Sequence, residues 1–167
     1  MSASGPLIVV DANVWLDNYL PHEHGRPSAT EFFSIASSTN ATILYPAGIL
    51  KDVFYVIQNR LKADMREQSG TLTKGDALAI REIAWACIEN MRELGTAVGV
   101  DEADLWLACK YRRLHGDLEN NLVLAAAERV HADYLVTSDT QLIRKSTVAA
   151  FTPADMATYL KTRAELV

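Results

Sequence analysis

The sequence lacks what a membrane-spanning or exported chain needs. No apolar stretch approaches the roughly 20 residues required to cross a bilayer, and the longest runs are Leu7 to Val10 and Leu122 to Ala127. The segment Met1-Ser2-Ala3-Ser4-Gly5-Pro6 has no basic start followed by an apolar core, so the expectation is no secretory leader and a cytoplasmic location. Cysteine is scarce: Cys87 and Cys109 are far apart, form no CxxC pattern and sit among Ala, Ile and Leu in helical stretches. They are expected to be reduced core thiols rather than a disulfide or metal ligands. A cationic excess is missing too, since the net charge is −5. That argues against a chain coated with basic residues to grip a polyanion. It leaves room for a nucleic-acid enzyme, because a carboxylate pocket adds negative charge that bound cations neutralise. Lys110, Arg112 and Arg113 are read as a solvated helix end.

What is present is enough for a core: 167 residues, of which 49% are hydrophobic, suit one domain over residues 1–167. No repeat, linker or low-complexity tract interrupts it. Leu7 to Val10 is a β-branched run that reads as a buried strand. Ser28 and Glu31 have the spacing of a capping box before a helix. Thr42 to Tyr45 predicts a second strand, and Pro46 the first turn of a helix running to about Leu61. The polar, glycine-containing residues 62–75 suggest a loop or a frayed helix end. A helix is expected from Asp76 to Leu94, with Ile80, Ile83, Ala84, Cys87, Ile88 and Met91 on one stripe, stopped at Gly95. Further strands are predicted at Thr96 to Val100, Tyr134 to Thr137 and Val148 to Phe151. Asp101, Asp117 and Thr152 are expected to cap helices. Strands that alternate with helices and are apolar on both faces predict a mainly parallel sheet between two helical layers.

In open parallel sheets the functional crevice lies beyond the carboxyl ends of the strands. Asp11 closes the first strand and Asp139 follows Leu135-Val136-Thr137-Ser138. Either alone fits a helix cap equally well; two, on strands that look central, point to a shared site. Asp52 falls at the edge of a helix's buried arc, where a carboxylate needs a cation or a donor. Glu119 and Asn120 follow the cap Asp117 in the first turn of an Ala-rich helix. His22-Glu23-His24 reads as a polar loop, His115 and His131 as helix ends, and Trp15, Trp85 and Trp106 as core.

Four segments carry a resemblance: Val10-Asp11-Ala12-Asn13-Val14-Trp15-Leu16; Asp52; Asp117-Leu118-Glu119-Asn120 with its Ala-rich helix; and Ala132 to Asp139, which includes Thr137-Ser138-Asp139. Together they resemble the PIN-domain family, which includes the VapC-type toxin ribonucleases, in order and spacing from Leu7 to about Arg144. The resemblance implies a three-layer α/β/α fold and an endoribonuclease that leaves 5′-phosphate and 3′-hydroxyl ends. It implies Mg²⁺ or Mn²⁺ held by Asp11, Asp52, Glu119, Asn120 and Asp139, the four acids being catalytic. Asn13, Thr137, Ser138 and Asp117 would orient them. Implied partners are an RNA substrate, an antitoxin protein and a second copy of the chain. Two positions depart from the pattern: Asp52 stands where the family usually has Glu, and Asn120 where it usually has Asp. A PIN domain that binds RNA or protein without cutting is therefore the alternative expectation. A phosphatase-like or receiver domain fits less well, since Asn13 replaces a second Asp and no Lys follows the strand at Val136.

Overall fold

The computed structural model describes residues 5–20 and 27–166. Five strands, β1 (Leu7–Val10), β2 (Thr42–Pro46), β3 (Thr96–Val98), β4 (Tyr134–Val136) and β5 (Ala150–Phe151), form one sheet in the order β3-β2-β1-β4-β5. Every pairing is parallel, with Val9 opposite both Leu44 and Leu135. Parallel pairing forces each connection to cross back over the sheet. The crossovers are α1 (Ala12–Tyr19) with α2 (Pro27–Ser38), α3 (Ile49–Ser69) with α4 (Lys74–Leu94), α5 (Glu102–Tyr111) with α6 (Leu118–Arg129), and α7 (Thr140–Lys145). The chain ends on α8 (Pro153–Glu165), which packs against α2. This is the expected three-layer α/β/α arrangement.

Burial explains the strand sequences. Ile8, Val9 and Val10 are fully buried, since β1 is central and covered on both faces. Trp15 on α1 is buried as expected, with Phe33 at 4.3 Å and Tyr45 edge-on at 5.5 Å between ring centroids. The edge strand β3 instead leaves Thr96 and Ala97 exposed. Its close approach to β2 depends on Gly95, where a Cβ would lie 2.9 Å from Ile43 Cγ2.

Several boundaries differ from the sequence reading. Pro46 ends β2 rather than opening a helix, because it pairs with Val98. The helix that follows does not stop near Leu61: α3 runs to Ser69, and Gly70, with φ of 74°, ends it. Residues 62–69 are helical although polar, and α3 and α4 pack together as a hairpin. Ser28 lies inside α2 rather than capping it, and Glu31 instead bonds Lys161 on α8 at 2.6 Å. Ile83 turns outward, leaving Ile80, Ala84 and Met91 as the buried stripe of α4. Trp85 and Trp106 are not core but half or more exposed, and Cys109 is a surface thiol. Thr73, Asp101, Asp117 and Thr152 cap their helices with side-chain hydrogen bonds. The His22-Glu23-His24 segment lies outside the described residues.

One buried charge locks α5 onto α6. Asp104 is fully buried, accepts the Asp101 backbone N–H at 3.0 Å and is paired with Arg129 Nε at 2.8 Å. Removing one partner of such a pair strands the other without compensation. Arg129→Ala is expected to destabilise the protein by about 3 kcal/mol, measured by urea unfolding. A loss below about 0.5 kcal/mol would show that the pair contributes no more than a surface bridge.

Candidate active site

Strand order reverses at β1: the chain builds outward through β2 and β3, then returns to lay β4 and β5 on the other side. Loops leaving the two strands at such a reversal part from one another and open a crevice. Val10 is paired with Val136, so the next residues, Asp11 and Thr137, leave the sheet side by side. The Asp11 N–H donates to Val136 O at 3.0 Å, which fixes the start of the crevice.

Asp11 is 5% exposed and caps α1, with its Oδ1 accepting the Ala12 N–H at 2.7 Å. Its Oδ2 accepts the Asn13 amide at 2.8 Å and the Thr137 hydroxyl at 2.7 Å. That hydroxyl also accepts the Asp139 N–H at 3.1 Å and the Asn13 amide at 3.0 Å, tying both acidic loops to one oxygen. Asp139 caps α7: Oδ1 accepts the N–H groups of Gln141 and Leu142 at 2.8 and 3.1 Å, and Oδ2 accepts the Asn120 amide at 2.8 Å. Ser138 donates its N–H to Asn13 Oδ1 and its hydroxyl to Asp17 Oδ2, both at 2.9 Å.

The structure thus gathers Asp11, Asn13, Asn120, Thr137, Ser138 and Asp139 into one hydrogen-bonded network. Asp117 supports it from below by capping α6, accepting the Asn120 N–H at 2.9 Å. Asp52 lies in the first turn of α3, which leaves β2 at the same rim of the sheet; its carboxylate is 3.4 Å from Lys51 Nζ. Glu119 occupies the first turn of α6 and is exposed. Among the described residues no three His, Cys, Asp or Glu side chains gather closely enough to hold a metal ion. Three further residues belong to the network and escaped the sequence reading. Asp17 follows Asn13 by one helical turn, a spacing that signals a shared face once α1 is recognised. His115 accepts the Asp117 N–H at 3.2 Å and lies 3.4 Å from the Asn120 amide, so it is a site residue rather than a plain helix end. Asn121, 3% exposed, donates to the His115 carbonyl at 2.9 Å and holds that turn in place.

The two carboxylates are electrostatically unequal. Burial pushes the Asp11 pKa up from its ordinary value; hydrogen bonds from Thr137, Ala12 and Asn13 pull it back, and the negative Asp139 adds to the rise. Burial acts on Asp139 in the same direction, but bonds from Leu142, Asn120 and Gln141 and the electrostatic influence of the nearby His115 ring prevail and lower it. At Asp11 the folded chain therefore binds its proton more tightly than the unfolded chain does. Wild-type stability contributed by this group is present at acid pH and lost as pH rises from 3.8 through the raised folded value. The Tm of metal-free wild type relative to Asp11→Asn is expected to fall between acid and neutral pH. A difference that is flat or rises across that window contradicts this electrostatic account.

A family profile for the PIN domain matches residues 7–141, the span that contains every residue of the network. The chain belongs to the PIN-domain family. The fold agrees with solved structures. A chain of the "VapBC2 from Rickettsia felis bound to a DNA fragment from their promoter" superposes with a TM-score of 0.61 at 12% identity, covering 87% of this chain and 98% of that chain. PAE2754 from Pyrobaculum aerophilum superposes with a TM-score of 0.56 at 17% identity, covering 95% and 98%. A search of curated proteins finds no match. Among the described residues of this PIN domain, no helix is long and apolar enough to cross a membrane.

The donor set of the PIN domain suits a hard cation that keeps most of its water. An ionised carboxylate has about four lone-pair sites, and three are filled on Asp11 and three on Asp139. By that count each acid has one lone-pair site that no protein donor fills. Mg²⁺ is commonly held by one or two carboxylates, waters and substrate phosphates, so a two-acid site is adequate for it where Zn²⁺ or Ca²⁺ would want more protein ligands.

Proposed function

We propose that this PIN domain is a Mg²⁺- or Mn²⁺-dependent endoribonuclease. The observation that carries the reading is the Asp11–Thr137–Asp139 network at the strand-order reversal, with one open ligand position on each acid. Asp11 and Asp139 would hold the ion, with Asp52 and Glu119 at the same rim as further acids and Asn120 able to offer a neutral oxygen. When bound, the ion lowers the pKa of a coordinated water and stabilises charge on the phosphate. The protein's own part is orientation. Asn13 and Thr137 fix Asp11 Oδ2, the backbone of α7 fixes Asp139 Oδ1, and Ser138 ties the two loops through Asn13 and Asp17. Preset carboxylates need no rearrangement as the reaction proceeds, which is where such sites gain rate.

The test is cleavage of end-labelled RNA with Mn²⁺, with Mg²⁺ and with a chelator. Cutting that requires the metal and leaves 5′-phosphate ends is expected; cutting unchanged by the chelator refutes the reading. The family and the fold it shares with a VapBC2 chain support a toxin role with a protein antitoxin as partner; a homodimer is the assembly proposed with it. A second reading rests on the bond from the Asn120 amide to Asp139. That bond occupies an acid with a neutral donor where a third charge would help hold the ion, and it favours a PIN domain that binds RNA and cuts slowly.

A further inference from the structure

Helix α5 is inside out by the usual pattern: Asp104, Ala108 and Tyr111 face inward, while Leu105 and Trp106 face water, Trp106 with 63% of its surface exposed. Lys110 Nζ lies 5.4 Å from the Trp106 ring centroid. A large ring in water needs a reason, and a cation on one face leaves the other face available. Immediately beyond, a groove of about 600 Å³ is lined by Cys109, Lys110, Tyr111, Arg112, Arg113 and Leu114. Tyr111 is buried at its base, and Lys110, Arg112 and Arg113 are exposed around it. Among the described residues none of these three cations enters an ion pair, a state they share with most of the chain's Lys and Arg side chains, so what sets them apart is their grouping around one groove beside an exposed ring. The groove lies close in sequence to the turn that reaches the acids. His115 follows Arg113 by two residues, a Cα separation of at most roughly 8 Å, and lies 3.4 Å from the Asn120 amide that bonds Asp139.

We infer that the Trp106–Lys110–Arg112–Arg113 surface is a track for single-stranded RNA leading into the Asp11–Asp139 crevice, with a base stacked on Trp106 and phosphates on the three cations. The substrate class rests on the ribonuclease reading; the track itself rests on the exposed ring, the three exposed cations grouped at one groove and the short stretch of chain from Arg113 to His115. Cations spaced along a groove neutralise a polyphosphate chain, and an exposed aromatic ring takes any base, so the combination fits a strand whose bases are unpaired. A duplex hides its base faces and gains nothing from the ring. An acidic peptide would be held by the cations without needing the ring.

The experiment is binding of a fluorescein-labelled RNA 12-mer to the full chain, read by anisotropy in chelator so that no cleavage intrudes. Lys110→Ala/Arg112→Ala/Arg113→Ala is expected to weaken binding at least about tenfold and to flatten the slope of log affinity against log salt by about 2, at roughly 0.7 per phosphate contact. Trp106→Ala is expected to weaken it about tenfold with the salt slope unchanged. The same RNA annealed to its complement is expected to bind less tightly and to ignore Trp106→Ala. Thermal melting of each variant confirms the fold, since all four side chains are exposed. Overturning results are wild type that binds no RNA, variants that bind like wild type, a duplex that binds as well as the single strand, or an acidic peptide that competes equally through Trp106. Cleavage by wild type alongside unaffected binding by the variants removes the track and leaves the nuclease reading. Weakened binding with no cleavage at any metal concentration does the reverse.

Discussion

Asp11→Asn is expected to lower RNA cleavage by more than about 100-fold, beyond the tenfold to hundredfold range typical of groups that merely orient a metal ligand. The reason lies in how the Asp11 oxygens are used. Both already accept hydrogen bonds, Oδ1 from Ala12 and Oδ2 from Asn13 and Thr137. An amide in the same place must turn a donor toward one of these donors, and it removes a full negative charge from the open ligand position. Thr137→Val, which keeps the volume of a fully buried side chain and deletes the hydroxyl joining Asp11 to Asp139, is expected to cost about 10–100-fold. The check is kcat/KM on labelled RNA at saturating Mn²⁺, with the Tm of each variant measured in parallel. A folded Asp11→Asn that cuts within tenfold of wild type refutes the assignment of Asp11 as a metal ligand. The ordering matters as much as the size: Thr137→Val falling further than Asp11→Asn would make the hydroxyl, not the carboxylate, the central group.

Much of this was legible because the sheet is parallel and buried. Strands covered on both faces must be apolar throughout, so a run such as Leu7 to Val10 ending abruptly in Asp11 marks both a strand and the rim where chemistry sits. The same holds for Leu135-Val136 before Thr137-Ser138-Asp139. Helix extents were harder to read. Apolar periodicity marks a helix in a sequence, and residues 62–69 have little of it, yet α3 continues through them because it packs on α4 and nothing stops it before Gly70. Helix α5 misled for a sharper reason. Leu105 and Trp106 look like core, but the inward positions are Ala108, Tyr111 and the acid Asp104, which is satisfied by Asp101 and Arg129. Once that acid is inside, the helical period turns Trp106 outward. The network was legible only as a set of candidates. Bonds such as Ser138 to Asp17 span 121 residues, and the pairing of His115 with Asn120 depends on a turn whose shape Asn121 fixes. Types and spacing nominate residues; only the packed loops decide which oxygen meets which donor.

Asn120→Asp is expected to act in opposite directions on the metal-free and metal-bound protein, and that opposition makes it the sharpest probe of the site. The Asn120 amide donates to Asp139 Oδ2 at 2.8 Å. A carboxylate there replaces an attraction with a repulsion, near 4 kcal/mol for unit charges about 4 Å apart at an effective dielectric of ~20. Partial exposure and side-chain movement should reduce this to about 2 kcal/mol, a Tm loss of about 4–8 °C for a chain of this size. Mn²⁺ reverses the sign, because a third acid beside Asp139 adds charge that a hard cation favours over an amide oxygen. The variant is expected to bind Mn²⁺ at least about tenfold more tightly, equivalent to roughly 1.4 kcal/mol. Mn²⁺ should then recover most of the lost Tm, since ligand at 100 times its Kd stabilises by about 2.7 kcal/mol. Cleavage at limiting Mn²⁺ should rise with affinity if Asn120 is what weakens the site. Calorimetric titration of Mn²⁺ and melting with and without the ion decide the matter. Equal affinities in the two proteins would mean that Asn120 does not face the ion. Tighter binding without faster cutting would mean that the amide limits metal retention but not the reaction, and that Asp52 or Glu119 supplies what the chemistry still lacks.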